Sequence, residues 1–262
     1  MPYIVIDAGH GGWDNGFEFY GYKEKDINLL VATRVAARLQ DLGFDVTLLR
    51  ESDNDIGNTS VRGREIAKLK PDFALSFHLN SSGGGGEKKG AEMIVPLGKS
   101  QTGFELNLSR QLKSLNSLNR VSSQDSQTKA IFERAIDEEN YRFVQTFDSR
   151  DYHAIIREAW SGGVAVSIVQ LFYLDNRSDL RKFLDKKEDY IEAVVYALCE
   201  TYDLPYDRLL RCQPQKSAPK QKSPYYRVIC GAYTSLEEAK KVQQYISQEF
   251  PNAWIQPIDP QK

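Results

Sequence analysis

Over its first 100 residues the chain alternates short apolar runs with stretches of helical period, and few folds accommodate that alternation. Tyr3 to Asp7, Asp45 to Leu49 and Asp72 to His78 each read as a strand, and Gly90 to Pro96 as a fourth. Between them, Glu24 to Leu42 carries Ile27, Val31, Val35, Leu39 and Leu42 at steps of three and four, one face of a helix, with Leu30 on the same side. Gly43 follows where a helix-ending glycine belongs. Thr59 to Leu69 is a second helix. Strands separated by helices pair in parallel, because a parallel connection must cross the sheet and a helix supplies the crossover. The expected class is α/β: a mostly parallel twisted sheet flanked by helices, with its sites at the carboxyl ends of the strands.

Beyond Ser100 the pattern loosens. Phe104 to Leu115 reads as a helix, Arg120 to Lys129 as a polar surface excursion, and Thr128 to Glu139 as another helical stretch. Val164 to Gln170 is almost wholly apolar and β-branched, the pattern of a central strand buried on both faces. Lys186 to Tyr202 closes the region as a helix with Ile191, Val194, Val195 and Leu198 on one face. Gln213 to Pro224 holds prolines and lysines and almost nothing to bury, so it reads as a linker. Past it, Tyr225 to Ile229, Ser235 to Phe250 and Ala253 to Ile258 form one small βαβ unit. The domain reading is a main body at 1–205, a linker at 206–224 and a small C-terminal unit at 225–262.

Composition removes several classes. With 34 Lys+Arg against 36 Asp+Glu the formal charge is −2, so a non-specific nucleic-acid binder, which needs a basic excess, is not expected. No run approaches the roughly 18 apolar residues of a membrane span. The start, Met1-Pro2-Tyr3-Ile4, enters a strand directly and has no basic, then apolar, leader pattern. Cys199, Cys212 and Cys230 are odd in number and far apart, so neither a disulfide framework nor a cysteine metal site is expected.

The chemistry concentrates in three residues. His10 and His78 each follow an apolar strand, and parallel pairing would bring both imidazoles to one edge of the sheet. Glu24 opens the helix that begins near that same edge. Two imidazoles and one carboxylate form a catalytic zinc arrangement with a fourth position open to water. Taken singly, each residue also has an ordinary structural role, Glu24 as an acidic residue at a helix start. Gly9, Gly11 and Gly12 do not make a phosphate loop. The dinucleotide fingerprint needs a glycine where Asp14 stands, and no Lys-Ser/Thr pair follows. These glycines are expected to turn the backbone sharply and leave access to a metal on His10.

Ile6-Asp7-Ala8-Gly9-His10-Gly11-Gly12, Lys23-Glu24-Lys25-Asp26-Ile27-Asn28-Leu29 and Ser76-Phe77-His78-Leu79-Asn80-Ser81 resemble the motifs of the amidase_3 family of zinc-dependent N-acetylmuramoyl-L-alanine amidases. Arg62, Gly90-Ala91-Glu92 and the late segment Val169-Gln170-Leu171-Phe172-Tyr173-Leu174-Asp175-Asn176 also match, and the resemblance covers roughly residues 2 to 202. It implies hydrolysis of the amide between muramic acid and L-alanine of the peptidoglycan stem, with Zn2+ held by His10, Glu24 and His78.

One position departs from that pattern. The family's catalytic glutamate falls at Gln170, and a carboxamide cannot accept a proton at neutral pH. Three accounts stay open: an introduced Glu-to-Gln exchange, a lineage with weakened hydrolysis, or another group in the missing role. Glu158 and Asp175, near in sequence, and His153 are candidates for it. Trp13, with Phe17 and Tyr20, and Asn80 just after strand three, are candidates to contact substrate or to pack the loops.

Tyr226-Arg227-Val228-Ile229-Cys230-Gly231-Ala232-Tyr233 with Leu236-Glu237-Glu238-Ala239 is similar to the first half of a SPOR domain, a family that binds peptidoglycan. The expected protein is therefore a cell-wall amidase of endolysin or autolysin type. It would be made in the cytoplasm and released through a membrane lesion, or be a mature form without its leader. The rivals are a zinc-loaded wall binder with little catalysis and a metal-dependent hydrolase of an unrelated amide or ester. Oligomeric state and stem-peptide preference have no signature in the sequence.

Overall fold

The computed structural model describes residues 1–98, 103–115, 117, 130–136, 151–208 and 240. The chain divides into two units, Met1–Gln213 and Pro214–Lys262. The first unit holds the described strands and helices. The expected linker from Gln213, the small βαβ unit and its SPOR-like segment lie outside the described residues, Lys240 apart, as does the polar excursion at 120–129.

Eight strands and five helices are described. In chain order they are β1 (Tyr3–Ala8), β2 (Glu18–Phe19), β3 (Tyr22–Lys23), α1 (Glu24–Asp41), β4 (Asp45–Leu48), α2 (Thr59–Leu69), β5 (Phe73–Asn80), β6 (Glu92–Val95), α3 (Gly103–Ser114), β7 (Ile131–Glu133), α4 (Ala154–Ser161), β8 (Val166–Tyr173) and α5 (Arg177–Thr201). Six strands form one sheet in the order β4-β1-β5-β8-β6-β7, and β2 and β3 form a separate small hairpin. β4, β1, β5 and β8 are mutually parallel. This is the α/β, mostly parallel sheet that the alternation predicts.

Side-chain alternation along each strand sorts the sheet into two buried faces. Ile4, Ile6 and Ala8 of β1 join the larger core, built with Val31 and Leu39 of α1, Phe104 and Leu108 of α3, and Val194 and Leu198 of α5. Val5, one residue out of phase, joins the smaller core with Ile66 of α2 and Ile155, Ile156 and Ala159 of α4. In β5, Phe73, Leu75, Phe77 and Leu79 enter the larger core and Ala74 the smaller. Ser76, His78 and Asn80 therefore share the face toward α2 and α4.

The structure corrects several expected elements. β6 pairs antiparallel with β8, and β7 runs beside β6 in the same reversed sense. The segment between β5 and β6 holds no helix, so the chain is not carried back across the sheet and re-enters from the edge where β5 ended. Within the expected helix at Thr128 to Glu139, Ile131–Glu133 is instead an edge strand on β6. The last helix starts well before Lys186, at Arg177, where the Asn176 side chain accepts hydrogen bonds from the amides of Ser178 and Asp179. Lys186 itself is non-helical (φ −126°, ψ 22°), and this kink separates the expected half from the unexpected one. Gly43 follows α1 with φ +89°, as a helix-ending glycine should. Among the described residues no helix is long and apolar enough to cross a membrane. Cys199 is buried in the larger core and its thiol is pushed up to about 11 by that burial, which leaves it unreactive. Cys212 and Cys230 lie outside the described residues.

Candidate metal centre

β1 and β5 are direct neighbours with Ala8 opposite Phe77, so the residues just beyond them arrive at one sheet edge together. His10 sits two residues past Ala8, and His78 lies near the end of β5. The lead-in from the β2–β3 hairpin starts α1 at Glu24, over the same edge. The three side chains converge as the sequence suggests: each offers a ligand atom, and these atoms all lie within 4.8 Å of one another.

Glu24 is the hub. It is 1% exposed. Its Oε1 lies 3.2 Å from His10 Nε2 and 3.1 Å from His78 Nδ1, and accepts the Leu79 amide at 2.9 Å. Oε2 accepts the Phe17 amide at 3.0 Å. Burial alone would favour the neutral acid, but the hydrogen bonds and charges of His10 and His78 hold the carboxyl far below the ordinary range. Burial likewise opposes charging of His10, and Glu24 and Asp14 outweigh it, so this imidazole gains a proton more readily than a free one. A metal ion would compete with that proton.

The donor set fits a divalent cation of the zinc type: two part-exposed imidazoles and one buried anionic oxygen. A Cβ placed on Gly9 would stand 2.3 Å from His78 Cε1. One on Gly16 would stand 2.6 Å from Glu24 Oε2 and 2.7 Å from His10 Cδ2, and φ there is +64°. Around Gly11 (φ +134°) the constraint differs from the expected open access, because a Cβ would meet the Asn54 carbonyl oxygen at 2.5 Å. The 53–55 loop packs on this turn. Lys25 Nζ reaches the Gly12 carbonyl at 2.7 Å and Asp53 at 2.8 Å, and Asp53 accepts the Gly12 amide.

His10 has left-handed backbone (φ +63°), unusual for a residue with a side chain. Two buried arginines hold it there. Arg50 donates to the carbonyls of Ala8, Gly9 and Lys25. Arg62, from α2, donates to the carbonyls of Ala8 and His10 and pairs with buried Asp7 at 2.8 Å. Asp14 then fixes the ring, since its Oδ2 lies 2.8 Å from His10 Nδ1. A carboxylate only accepts, so Nδ1 carries the proton there and Nε2 is left to face Glu24 and His78. Asp14→Ala is expected to weaken zinc binding by about 10–100-fold with the fold intact, measured by competition against a chromogenic chelator.

Gln170 lies beside this cluster. It is the partner of His78 in the β5–β8 ladder and of Glu92 in the β6–β8 ladder, so His78, Gln170 and Glu92 form a row across three strands. Residues 4–200 match the family Amidase_3, N-acetylmuramoyl-L-alanine amidase. The chain belongs to this family. YqiI of Bacillus subtilis (strain 168) is 27% identical over 205 residues, covering 78% of this chain and 85% of that protein. The germination-specific N-acetylmuramoyl-L-alanine amidase of the same organism is 36% identical over 91 residues, 30% of this chain and 38% of that one. Among solved structures, the N-acetylmuramoyl-L-alanine amidase from Clostridium difficile 630 superposes with a TM-score of 0.61 at 21% identity, covering 77% of this chain and 97% of that chain.

The other residues named from the sequence take defined partners. Trp13 is 84% exposed, yet its indole N–H is tied to Asp55 at 2.7 Å. Tyr20 is also exposed, with its hydroxyl on the Asp175 carbonyl and the Arg177 guanidinium 4.7 Å over its ring. Asn80 shares the face of His78 and donates to both Glu92 (2.9 Å) and Gln170 Oε1 (3.2 Å). Of the groups close in sequence to Gln170, Glu158 pairs with Arg64 where α4 meets α2. Asp175 Oδ2 gathers the amides of Ser82, Gly84 and Gly86 and so clamps the glycine-rich loop. The carboxylate that does face Gln170 is Glu92, which the sequence reading names only as part of a motif. The available signal was one acidic residue inside an otherwise apolar strand. Arg50 carries the same kind of signal, a lone charge at the end of an apolar run, and no motif marks it.

His153 sits at the start of α4 with Nε2 buried and without a hydrogen-bond partner among the described residues. Burial, aided by the nearby positive charge of Arg134, His78 and Arg157, lowers its pKa to about 4. Its neutral form is thus favoured by folding. The associated stability is complete above about 6.5, the unfolded value, and is lost as pH falls from there toward about 4. Denaturant titrations should show that acid slope in the parent chain and a shallower one in His153→Gln.

Proposed function

We propose that this chain engages the muramyl–L-alanine junction of peptidoglycan at a zinc centre held by His10, Glu24 and His78, as an N-acetylmuramoyl-L-alanine amidase whose hydrolysis is weakened by Gln170. The observation that carries the reading is the convergence of those three ligand atoms within 4.8 Å at one sheet edge, with Gln170 in the adjacent ladder position. Zinc in such a site polarises a scissile carbonyl and acidifies water.

The chain's own residues supply the rest. Asp14 orients His10, Arg50 and Arg62 hold the strained turn beneath it, and the Leu79 and Phe17 amides fix the Glu24 carboxylate in place. Trp13 offers a fixed aromatic surface at the rim, suited to stacking against a sugar ring. At the position where the family carries its general base, Gln170 can donate and accept hydrogen bonds but cannot take up a proton. That property also supports a second reading, a zinc-containing wall binder with little catalysis. The domain scheme for either reading is a main body at 1–205, a linker at 206–224 and a wall-targeting, SPOR-like unit at 225–262. Relatives named endolysin and germination-specific amidase accord with a role on the bacterial wall.

Co-sedimentation with purified walls tests this reading. The chain should pellet with walls in zinc, and less so after chelation or in Glu24→Ala. Equal recovery in the supernatant with and without zinc would overturn it.

A further inference from the structure

Glu92 is 5% exposed on the strand beside β8. Its Oε1 accepts the Tyr173 hydroxyl at 2.6 Å, and Oε2 accepts Asn80 Nδ2 at 2.9 Å with Arg134 at 3.8 Å. Tyr173 reaches it because of a ladder irregularity. His78 is opposite Gln170, but Asn80 is opposite Tyr173, so β8 carries one extra residue over this step. In a regular strand, residues 170 and 173 would point to opposite faces; the bulge brings both toward Glu92.

The polarity of this row follows from what each group can do. Both Glu92 oxygens act as acceptors, one toward the Tyr173 hydroxyl and one toward Asn80. Asn80 must therefore face it with its amide nitrogen, and Asn80 Oδ1 is already taken by the Ser81 amide at 2.9 Å. The same nitrogen extends to Gln170, so the Gln170 atom facing Asn80 must be the carbonyl oxygen. The N–H pair of Gln170 then has no protein partner among the described residues and lies on the face it shares with His78.

We infer that Gln170 serves as a hydrogen-bond donor to a carbonyl oxygen of the bound muramyl peptide, and that Glu92, acting through Asn80, is the positioning residue that turns the Gln170 amide into that orientation. The inference rests on the muramyl-peptide reading above. It makes the site one that grips an uncleaved amide: a proton acceptor is replaced by a donor, and the donor's direction is set two side chains away.

A double-mutant cycle tests this on the full chain loaded with zinc, with N-acetylmuramoyl-L-alanyl-D-isoglutamine as the probe in calorimetry. Gln170→Met and Glu92→Gln should each weaken binding by roughly 3–10-fold, the net worth of one hydrogen bond, with zinc affinity unchanged. Because Glu92 acts through Gln170, the double variant should be no weaker than Gln170→Met alone. Additive losses would make Glu92 merely structural and overturn its positioning role. In the unmodified chain, the Gln170 side-chain 15N–1H pair should shift on titration with the probe. An unmoved pair in a chain that binds the probe would overturn the donor role even if Glu92→Gln fails to fold. A chain with no affinity for the probe would overturn the muramyl reading itself, and this inference with it.

Discussion

Gln170→Glu is expected to raise release of L-alanine amino groups from muramyl peptides by about 10²–10⁴-fold, the usual worth of a general base. The site is otherwise prepared for a carboxylate at 170. The ligand atoms of His10, Glu24 and His78 converge beside it, and Asn80 Nδ2 already donates to an oxygen there at 3.2 Å. The exchange keeps side-chain shape and changes only whether a proton can be taken up. Glu92, in the neighbouring ladder position, would place a second carboxylate close by. Like charges raise each other's proton affinity, which moves the new group toward the operating pH of a general acid–base catalyst. The gain should appear in kcat, while KM should rise severalfold, since a carboxylate at 170 cannot donate to the substrate carbonyl. A variant that binds zinc and walls as the parent does, yet releases no additional amino groups, would sink the assignment of Gln170 to the general-base position.

The second large effect concerns stability. Arg62→Ala should destabilise the main body by about 3–5 kcal/mol, the range for removing one partner of a buried ion pair. For a body of this size that corresponds to a fall of roughly 6–20 °C in Tm. Asp7 is fully buried, and its carboxylate meets Arg62 at 2.8 Å and the Ser76 hydroxyl at 2.7 Å. Without the guanidinium its charge is left in the smaller core, and the carbonyls of Ala8 and His10 lose their donors as well. The left-handed turn at His10 loses a brace, so zinc affinity should drop with the melting temperature. Replacing the pair together, Asp7→Leu with Arg62→Met, should recover part of the stability, because no uncompensated charge remains. It should not recover the metal affinity, because the His10 carbonyl still lacks its partner. Calorimetric scans of the single and double variants distinguish these outcomes, and a Tm within about 2 °C of the parent in Arg62→Ala would contradict the account.

Much of this protein is local information. The strand–helix alternation, the period of Ile27, Val31, Val35 and Leu39, and the apolar run at Val166–Val169 are written in residue order, because each element buries a face whose spacing the backbone dictates. The placement of His10, Glu24 and His78 was legible for the same reason: parallel strands deliver their carboxyl ends to one edge, and a helix that starts there brings its first residue along. What residue order did not carry is everything that depends on which strand lies beside which. β6 lies next to β8 rather than β5, and it runs in reverse because its connection holds no crossover helix. That placement, together with a one-residue bulge in β8, puts Glu92, Asn80, Gln170 and Tyr173 in contact. Arg50 and Arg62 reach the same turn from separate elements. A single acidic or basic residue in an apolar run announces that it needs a partner; only the assembled sheet, by fixing register and neighbours at hydrogen-bond distance, decides which partner it finds.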